Sequence, residues 1–241
     1  MVQRFTRQLE VQALRVRDFL RAAVTKHTRV VYANSLGSEA MVLTDIIAAY
    51  LPEIEIFSID TGRLPEETHE LLAHLEERYG PRIRLVYPQA ASLAQLTADY
   101  GVNGFRKSIT ARLSCCGVRK VEPFKRAVAG FSAWVTGVRR EQSQVRAAGA
   151  AEEWDESYGL YKLSPLLDWT QEQVWQYIHE HDLPYNALHD QHYPSIGCAP
   201  CTRATLQGEP QRAGRWWWEE SGVRECGLHP RRRPAAQAAV S

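Results

Sequence analysis

The feature that most constrains the fold is an alternation of strand and helix patterns in the first two-thirds of the chain. A short apolar run ends in a polar loop, and a helical pattern follows. Residues 29–35 read as a buried strand, Gly37 as a turn, and residues 39–51 as a helix stopped by Pro52. Residues 55–60 read as a second strand that turns at Thr61-Gly62. Pro65 suits the first turn of the next helix, which runs to about Tyr79. Further strands are predicted over 83–87, 132–136 and 158–163, and further helices over 11–24, 118–129 and 171–181. Strands alternating with helices imply an α/β fold, a mostly parallel twisted sheet flanked by helices. Such sheets bind ligands at the carboxyl ends of their strands. The loops 35–38, 60–63 and 136–140 all fall there, so they are predicted to converge on one rim.

The 241 residues are enough for one large domain or two small ones. A 44% hydrophobic and 24% charged composition is that of an ordinary globular protein, and a formal net charge of +1 argues for neither nucleic acid nor an anionic membrane as partner. No apolar run reaches the ~20 residues that span a bilayer. Arg4, Arg7, Arg15, Arg17 and Asp18 interrupt the start, so no signal-peptide core is present. The expected location is cytoplasmic. After Pro184 the chain becomes rich in Pro, Gly, Trp and Arg and loses periodicity. The expected division is an α/β domain over 1–205 and a flexible C-terminal segment over 206–241, with disorder at its end.

The cysteines carry the chemistry. Cys115 and Cys116 are adjacent, Cys198 and Cys201 form a C-x-x-C pair, and Cys226 stands alone. In a cytosolic chain such spacing is better read as metal ligation or catalysis than as disulfides. The C-x-x-C pair would suit zinc. The adjacent pair suits zinc less, because neighbouring side chains diverge. A [4Fe–4S] cube offers each cysteine its own iron, which favours the cluster. The alternative is that one or two of these thiols are inert buried residues. For Cys226, a nucleophile and an inert thiol both stand open. Arg224 and His229 would favour its thiolate, and Glu225 would oppose it.

Ser35, Gly37 and Ser38 open a helix whose backbone N–H groups can hold an oxyanion. The Gly-Lys-Ser/Thr of a Walker loop is absent. Asp60, Thr61, Gly62 and Arg63 form a simple turn or a nucleotide contact, and Gly137 lies in another strand-end loop, with Arg139 among the basic residues beside it. Arg119, Lys120, Arg140, Arg146, Arg203, Arg212 and Arg215 flank these motifs; several are ordinary surface charge. Lys120 follows the cysteine pair closely enough to sit between a cluster and a substrate. Trp216-Trp217-Trp218 cannot all enter one core, so part of the run is expected to cover a site or a partner surface.

Six segments in order, Asp60-Thr61-Gly62-Arg63-Leu64-Pro65-Glu66-Glu67-Thr68, Cys115-Cys116-Gly117-Val118-Arg119-Lys120, Thr136-Gly137-Val138-Arg139-Arg140-Glu141-Gln142-Ser143, Gly197-Cys198-Ala199-Pro200-Cys201-Thr202-Arg203, Gly214-Arg215-Trp216-Trp217-Trp218-Glu219 and Glu225-Cys226-Gly227-Leu228-His229, resemble the assimilatory adenosine 5′-phosphosulfate (APS) reductases. These form the iron–sulfur branch of the PAPS/APS reductase family. The resemblance implies an adenine-nucleotide alpha-hydrolase-like fold related to the ATP pyrophosphatases. It implies that loop 35–39 is a modified pyrophosphate loop and that the turns after Asp60 and Thr136 hold adenosine. It implies a [4Fe–4S] cluster on Cys115, Cys116, Cys198 and Cys201, and phosphosulfate contacts from Lys120, Arg212, Arg215 and His229. It makes Cys226 the nucleophile of an S-sulfocysteine pathway, with thioredoxin or a glutaredoxin-like donor as reductant. Oligomeric state is left open, a homo-oligomer included. The chain departs from the family at Leu36, Ser38 and Ala40, where Ser-Phe-Gly-Ala-Glu-Asp is usual, and at Val223, two residues before the Glu-Cys pair. Competing expectations are a PAPS or dual-substrate reductase, an adenylating ATP-pyrophosphatase-type enzyme, and a zinc-ribbon binding module. The second wants Ser-Gly-Gly-x-Asp-Ser, which the chain lacks; the third leaves Cys226 without a role.

Overall fold

A computed structural model describes residues 2–219 and 228. Six strands form one sheet: β1 (Val30–Asn34), β2 (Glu55–Ile59), β3 (Ile83–Val86), β4 (Ala133–Val135), β5 (Glu152–Asp155) and β6 (Leu160–Leu163). Their order is β3-β2-β1-β4-β6-β5, and every pairing is parallel except β5 against β6. The chain winds outward from β1 to β3, then returns to place β4 on the other side of β1. The crevice between the carboxyl ends of β1 and β4 is the topological switch point, where open α/β sheets bind their ligands.

Helices α1 (Val2–Lys26), α2 (Ser38–Tyr50), α3 (Glu66–Tyr79), α4 (Ala90–Tyr100), α5 (Ile109–Cys116), α6 (Glu122–Ala127), α7 (Gln144–Ala147) and α8 (Gln171–Glu180) complete the body. Strand alternation assigns the two faces of the sheet. Val30, Tyr32, Ile56, Ala133 and Val135 point into a large core with α1, α2, α3 and α8. Val31, Phe57 and Trp134 point the other way, onto Phe124, Ala127 and Val128 at α6. Helix α2 is apolar nearly all round, as its central position requires.

Most strands and helices expected from the sequence appear close to the expected bounds, but α1, expected over 11–24, starts already at Val2. Pro65 sits one residue earlier than expected, as the N-cap of α3. The helix expected over 118–129 is broken in two. Gly117–Val121 is π-helical and α6 starts only at Glu122. Pro123 offers no N–H to the carbonyl of Arg119, and the widened turn is the physical consequence. Three helices, α4, α5 and the short α7, and the edge strand β5 were not anticipated. Residues 206–219, expected to be part of a flexible segment, are packed. Arg203 N–H donates to Gly214 O, Thr202 bridges Arg215, and Trp216 is 1% exposed, so the packed body continues to Glu219. Among the described residues no helix is long and apolar enough to cross a membrane.

Leu43 is fully buried in α2, whereas Leu14 on α1 is 42% exposed. Leu43→Ala is expected to lower stability by about 2–5 kcal/mol. Leu14→Ala is expected to change it by no more than ~0.5 kcal/mol. Urea denaturation of the two variants checks the assignment of the core face.

Candidate active site

The switch-point crevice is a real cavity of about 230 Å³. Ser35, Leu36, Gly37, Ser38 and Glu39 line it from the β1–α2 loop, and Thr136, Gly137 and Val138 line it from the loop after β4. The β1–α2 loop is shaped by Asn34. Its side chain accepts from Leu36 N–H (2.8 Å) and donates to Thr44 Oγ1 (2.8 Å), tying the turn to α2. Leu36 then sits at φ 58°, the left-handed region that glycine usually occupies. Backbone strain of this kind is commonest at functional turns. Gly137 is needed because a Cβ there would lie 2.9 Å from Glu39 Cβ.

Glu39 holds the two loops together. It accepts from Arg139 Nε (2.8 Å) and Gln142 Nε2 (2.9 Å). Arg139 is fully buried and also donates to Glu141 and Trp169 O. It therefore lies behind the cavity as a brace, and does not line it. Arg146, bonded to Gln142, does line the cavity, with Lys120, Arg212 and Arg215. One carboxylate and four cations on one concave wall make a site for an anion.

The turn after β2 divides between two cavities. Thr61 faces the first. Asp60 instead accepts from Gly62 N–H and lies 3.3 Å from His69 Nε2. Arg63 turns away to Asn103 and Val102 O and lines a second cavity of about 20 Å³. Cys115, Cys116, Cys198 and Cys201 all line this second cavity. Three of them are buried, in a small apolar cluster with Phe105 and Trp216. Among the described residues no group of three or more His, Cys, Asp or Glu is arranged to hold a metal ion. The adjacent cysteines, whose side chains were expected to diverge, share this wall from the end of α5.

Electrostatics in the second cavity differ from thiol to thiol. Burial pushes Cys201 up to about 11, helped by neighbouring Cys198, and burial also raises Cys115. Burial acts the same way on Cys198. There it is outweighed by Lys120, a Thr61 hydroxyl 3.3 Å away, Arg215 and Arg119, and Cys198 ends below the ordinary thiol value. Arg119 also donates to Thr61 O (2.6 Å), and Ala199 N–H to Arg63 O (2.8 Å). The β2 turn is thus bonded to both cysteine segments.

Lys120, Arg215 and Trp216 line both cavities and form the partition between them. Arg215 reaches this position only because residue 197 is glycine. A Cβ there would lie 2.2 Å from its guanidinium. Arg215 and Arg112 both stack on Trp216, at 4.8 and 4.6 Å from the ring centre. Arg112 in turn forms a buried ion pair with Glu219 (2.5 Å). Of the three tryptophans, Trp216 is internal, Trp218 packs on Phe105, and Trp217 is exposed.

With this geometry in place, a sequence profile of the phosphoadenosine phosphosulfate reductase domain matches residues 29–204. The chain belongs to the phosphoadenosine phosphosulfate reductase family. Its relatives include an adenosine 5′-phosphosulfate reductase of Allochromatium vinosum, 54% identical over 215 residues, 88% of this chain and 84% of the relative. A crystal structure of phosphoadenylyl-sulfate (PAPS) reductase from Candida auris, in a phosphate complex, superposes with a TM-score of 0.68 and 29% identity, over 78% of this chain and 90% of that one. Candida glabrata FMN adenylyltransferase, bound to FMN and the ATP analogue AMPCPP, reaches 0.57 at 14% identity, over 88% of this chain and 73% of that one. That last likeness concerns the fold alone and agrees with the adenine-nucleotide alpha-hydrolase-like class expected from the sequence.

Within this family member, Ser35, Gly37, Ser38, Thr61, Gly137, Lys120, Arg146, Arg212 and Arg215 come together on one cavity, while Asp60, Gly62, Arg63 and Arg139 support it from outside. Cys226 and His229 lie outside the described residues. Sequence reasoning missed Gln142 and His189. His189 also lines the cavity, with Nδ1 2.8 Å from Tyr193 O, and burial lowers its pKa below the ordinary histidine value. It sits in an aperiodic stretch that gave no signal.

Glu219→Ala would strand the Arg112 charge in a buried place. It is expected to cost about 3–5 kcal/mol in urea denaturation, and replacing both partners by Arg112→Met and Glu219→Leu should recover most of the loss.

Proposed function

We propose that this chain reduces adenosine 5′-phosphosulfate to sulfite and AMP, with Cys226 as the nucleophile. The observation that carries the reading is the shared partition: Lys120 and Arg215 face both the switch-point cavity and the four-cysteine cavity. Leu228, two residues beyond Cys226, lines the first cavity as well.

In the proposed reaction the Cys226 thiolate attacks the sulfate sulfur. An S–S bond forms, the S–O bond to phosphate breaks, and AMP leaves with the electron pair. A dithiol protein of the thioredoxin or glutaredoxin type then attacks Cys226 Sγ and releases sulfite. Its second thiol resolves the mixed disulfide, so two electrons pass from the dithiol and the Cys226 thiol is restored. Charge develops on the departing phosphate and on the sulfonyl oxygens. Lys120, Arg212 and Arg215 are positioned to offset it from a concave, partly desolvated wall. Glu39 and Arg139 keep the two loops at the separation the nucleotide needs. His229 is a further contact on the strength of the family motif.

Four soft thiols, an apolar surround of Phe105 and Trp216, and cations at the rim fit a [4Fe–4S] cluster held by Cys115, Cys116, Cys198 and Cys201. When bound, it would supply fixed negative charge that holds the Lys120 and Arg215 side chains in place.

The test is mass spectrometry after incubation with APS and no reductant. An SO₃ group is expected on the Cys226 peptide, and none in Cys226→Ser. Turnover retained by Cys226→Ser would overturn the mechanism. A kcat/KM for PAPS matching or exceeding that for APS would overturn the substrate assignment. Lys120→Met should slow adduct formation by roughly a hundredfold or more, the scale for one lost donor to developing charge. An anaerobic preparation that is colourless and loaded with zinc would remove the cluster from the proposal.

A further inference from the structure

His189 lines the main cavity and has no part in the sulfur chemistry proposed above. It lies on the short helical turn Ala187–Gln191, where its backbone N–H donates to Asn186 O (3.0 Å). Asn186 is buried and anchors the turn. Its side chain accepts from Leu188 N–H (3.0 Å) and donates to Thr68 Oγ1 (2.9 Å) on α3. The Trp175 ring of α8 meets the imidazole at 5.1 Å in an edge contact. The ring is thus held from its backbone and from one side before any ligand arrives.

Its protonation follows from its partners. A carbonyl oxygen only accepts, so the 2.8 Å contact with Tyr193 O puts the proton on Nδ1. Burial lowers the pKa of the ring below the ordinary histidine value, although Tyr193 O, Glu39 and Asp190 act the other way. At neutral pH the ring is therefore uncharged and Nε2 is a bare acceptor. That atom is buried and has no hydrogen-bond partner among the described residues. Buried polar atoms without a partner are rare and destabilising. The missing partner has to be a donor. Lys120, Arg212 and Arg215 suit the phosphosulfate group, which carries only acceptors at neutral pH. The donors of the nucleotide are all in its nucleoside half: the ribose hydroxyls and the adenine amino group.

We infer that His189 is a specificity-determining residue of this cavity: its Nε2 accepts a hydrogen bond from a hydroxyl or amino group of the bound nucleoside. The inference rests on the proposed nucleotide reading of the cavity. It gives His189 a contact that substrate and AMP share, unlike the cations, which meet charge as it develops. A contact of this kind discriminates sharply. An analogue that lacks the donor leaves Nε2 buried and unpaired, and a site built for a hydrogen bond rejects such an analogue more strongly than an apolar pocket rejects a missing methylene.

Calorimetric titration with AMP and its analogues tests this. 2′-Deoxy-AMP and 3′-deoxy-AMP each lack one hydroxyl, and inosine 5′-monophosphate carries an oxygen in place of the amino group. The analogue that lacks the donor should bind the unsubstituted enzyme about tenfold more weakly than AMP. His189→Asn keeps an N–H for Tyr193 O but places no acceptor at the Nε2 position. It should bind AMP about tenfold more weakly than the unsubstituted enzyme does, and should bind that same analogue as well as it binds AMP. His189→Gln, whose amide oxygen reaches the Nε2 position, should recover most of the AMP affinity. A general loosening of the site would instead weaken AMP and every analogue together. Analogue-to-AMP ratios left unchanged by His189→Asn would overturn the inference alone. So would equal weakening of AMP binding by His189→Asn and His189→Gln. Absence of AMP binding to the unsubstituted enzyme would instead sink the nucleotide reading of the cavity, and the inference with it.

Discussion

Two cations and a tryptophan stand between the two cavities, and most of the site depends on how they are held. Lys120 issues from the π-helical turn that Pro123 forces on the helix after the cysteine pair. Arg215 passes over Gly197, where any side chain would collide with it. Trp216 takes both Arg112 and Arg215 on its ring. Each of these placements is paid for by a local irregularity: a widened helix turn, a residue without Cβ, a tryptophan at φ 45°. Irregularities of this kind persist only where the surroundings over-determine them. Here the surroundings are the Arg112–Glu219 pair on one side and the bonds from the β2 turn on the other.

The partition also decides the charge state of the thiols. Burial and the neighbouring Cys198 raise Cys201, and Lys120 and Arg215 only partly offset them. Cys198 moves in the opposite direction because Lys120, the Thr61 hydroxyl, Arg215 and Arg119 together outweigh its burial. Lys120 and Arg215 also face the anion cavity. Negative charge in either cavity therefore stabilises these cations, and a cation fixed by charge on one side is preorganised for charge on the other. Preorganisation of this sort removes reorganisation cost at the moment when charge develops.

How much of this was legible depends on which physical signal each element carries. Strand-end loops were legible because β1, β2 and β4 are apolar runs cut off by polar residues, and parallel topology sends such ends to one rim. The position of Lys120 was legible from its closeness to Cys116. Helix α4 was not, since its only apolar stripe, Leu93, Leu96 and Tyr100, is short and none of its residues is fully buried. Strand β5 reads Glu-Glu-Trp-Asp; an edge strand tolerates such charge, but its alternation is lost. The role of Arg139 was misjudged for a related reason. An arginine in a glycine turn looks like a ligand contact in sequence, and only the structure shows Glu39 and Glu141 neutralising it in the interior. The three tryptophans were ambiguous because the bridge between Thr202 and Arg215, which turns Trp216 inward, joins residues 13 apart and leaves no local pattern.

The packing of residues 206–219 follows from the same contacts. Residues 206–219 resemble a linker in composition, with Gly208, Pro210 and Gly214 among polar residues. They are nonetheless tied down by Arg203–Glu209 and by backbone bonds to Cys201 and Arg203. A segment this irregular gains order from its partners, the buried Arg112 among them, although neither Arg112 nor Glu219 lines the anion cavity.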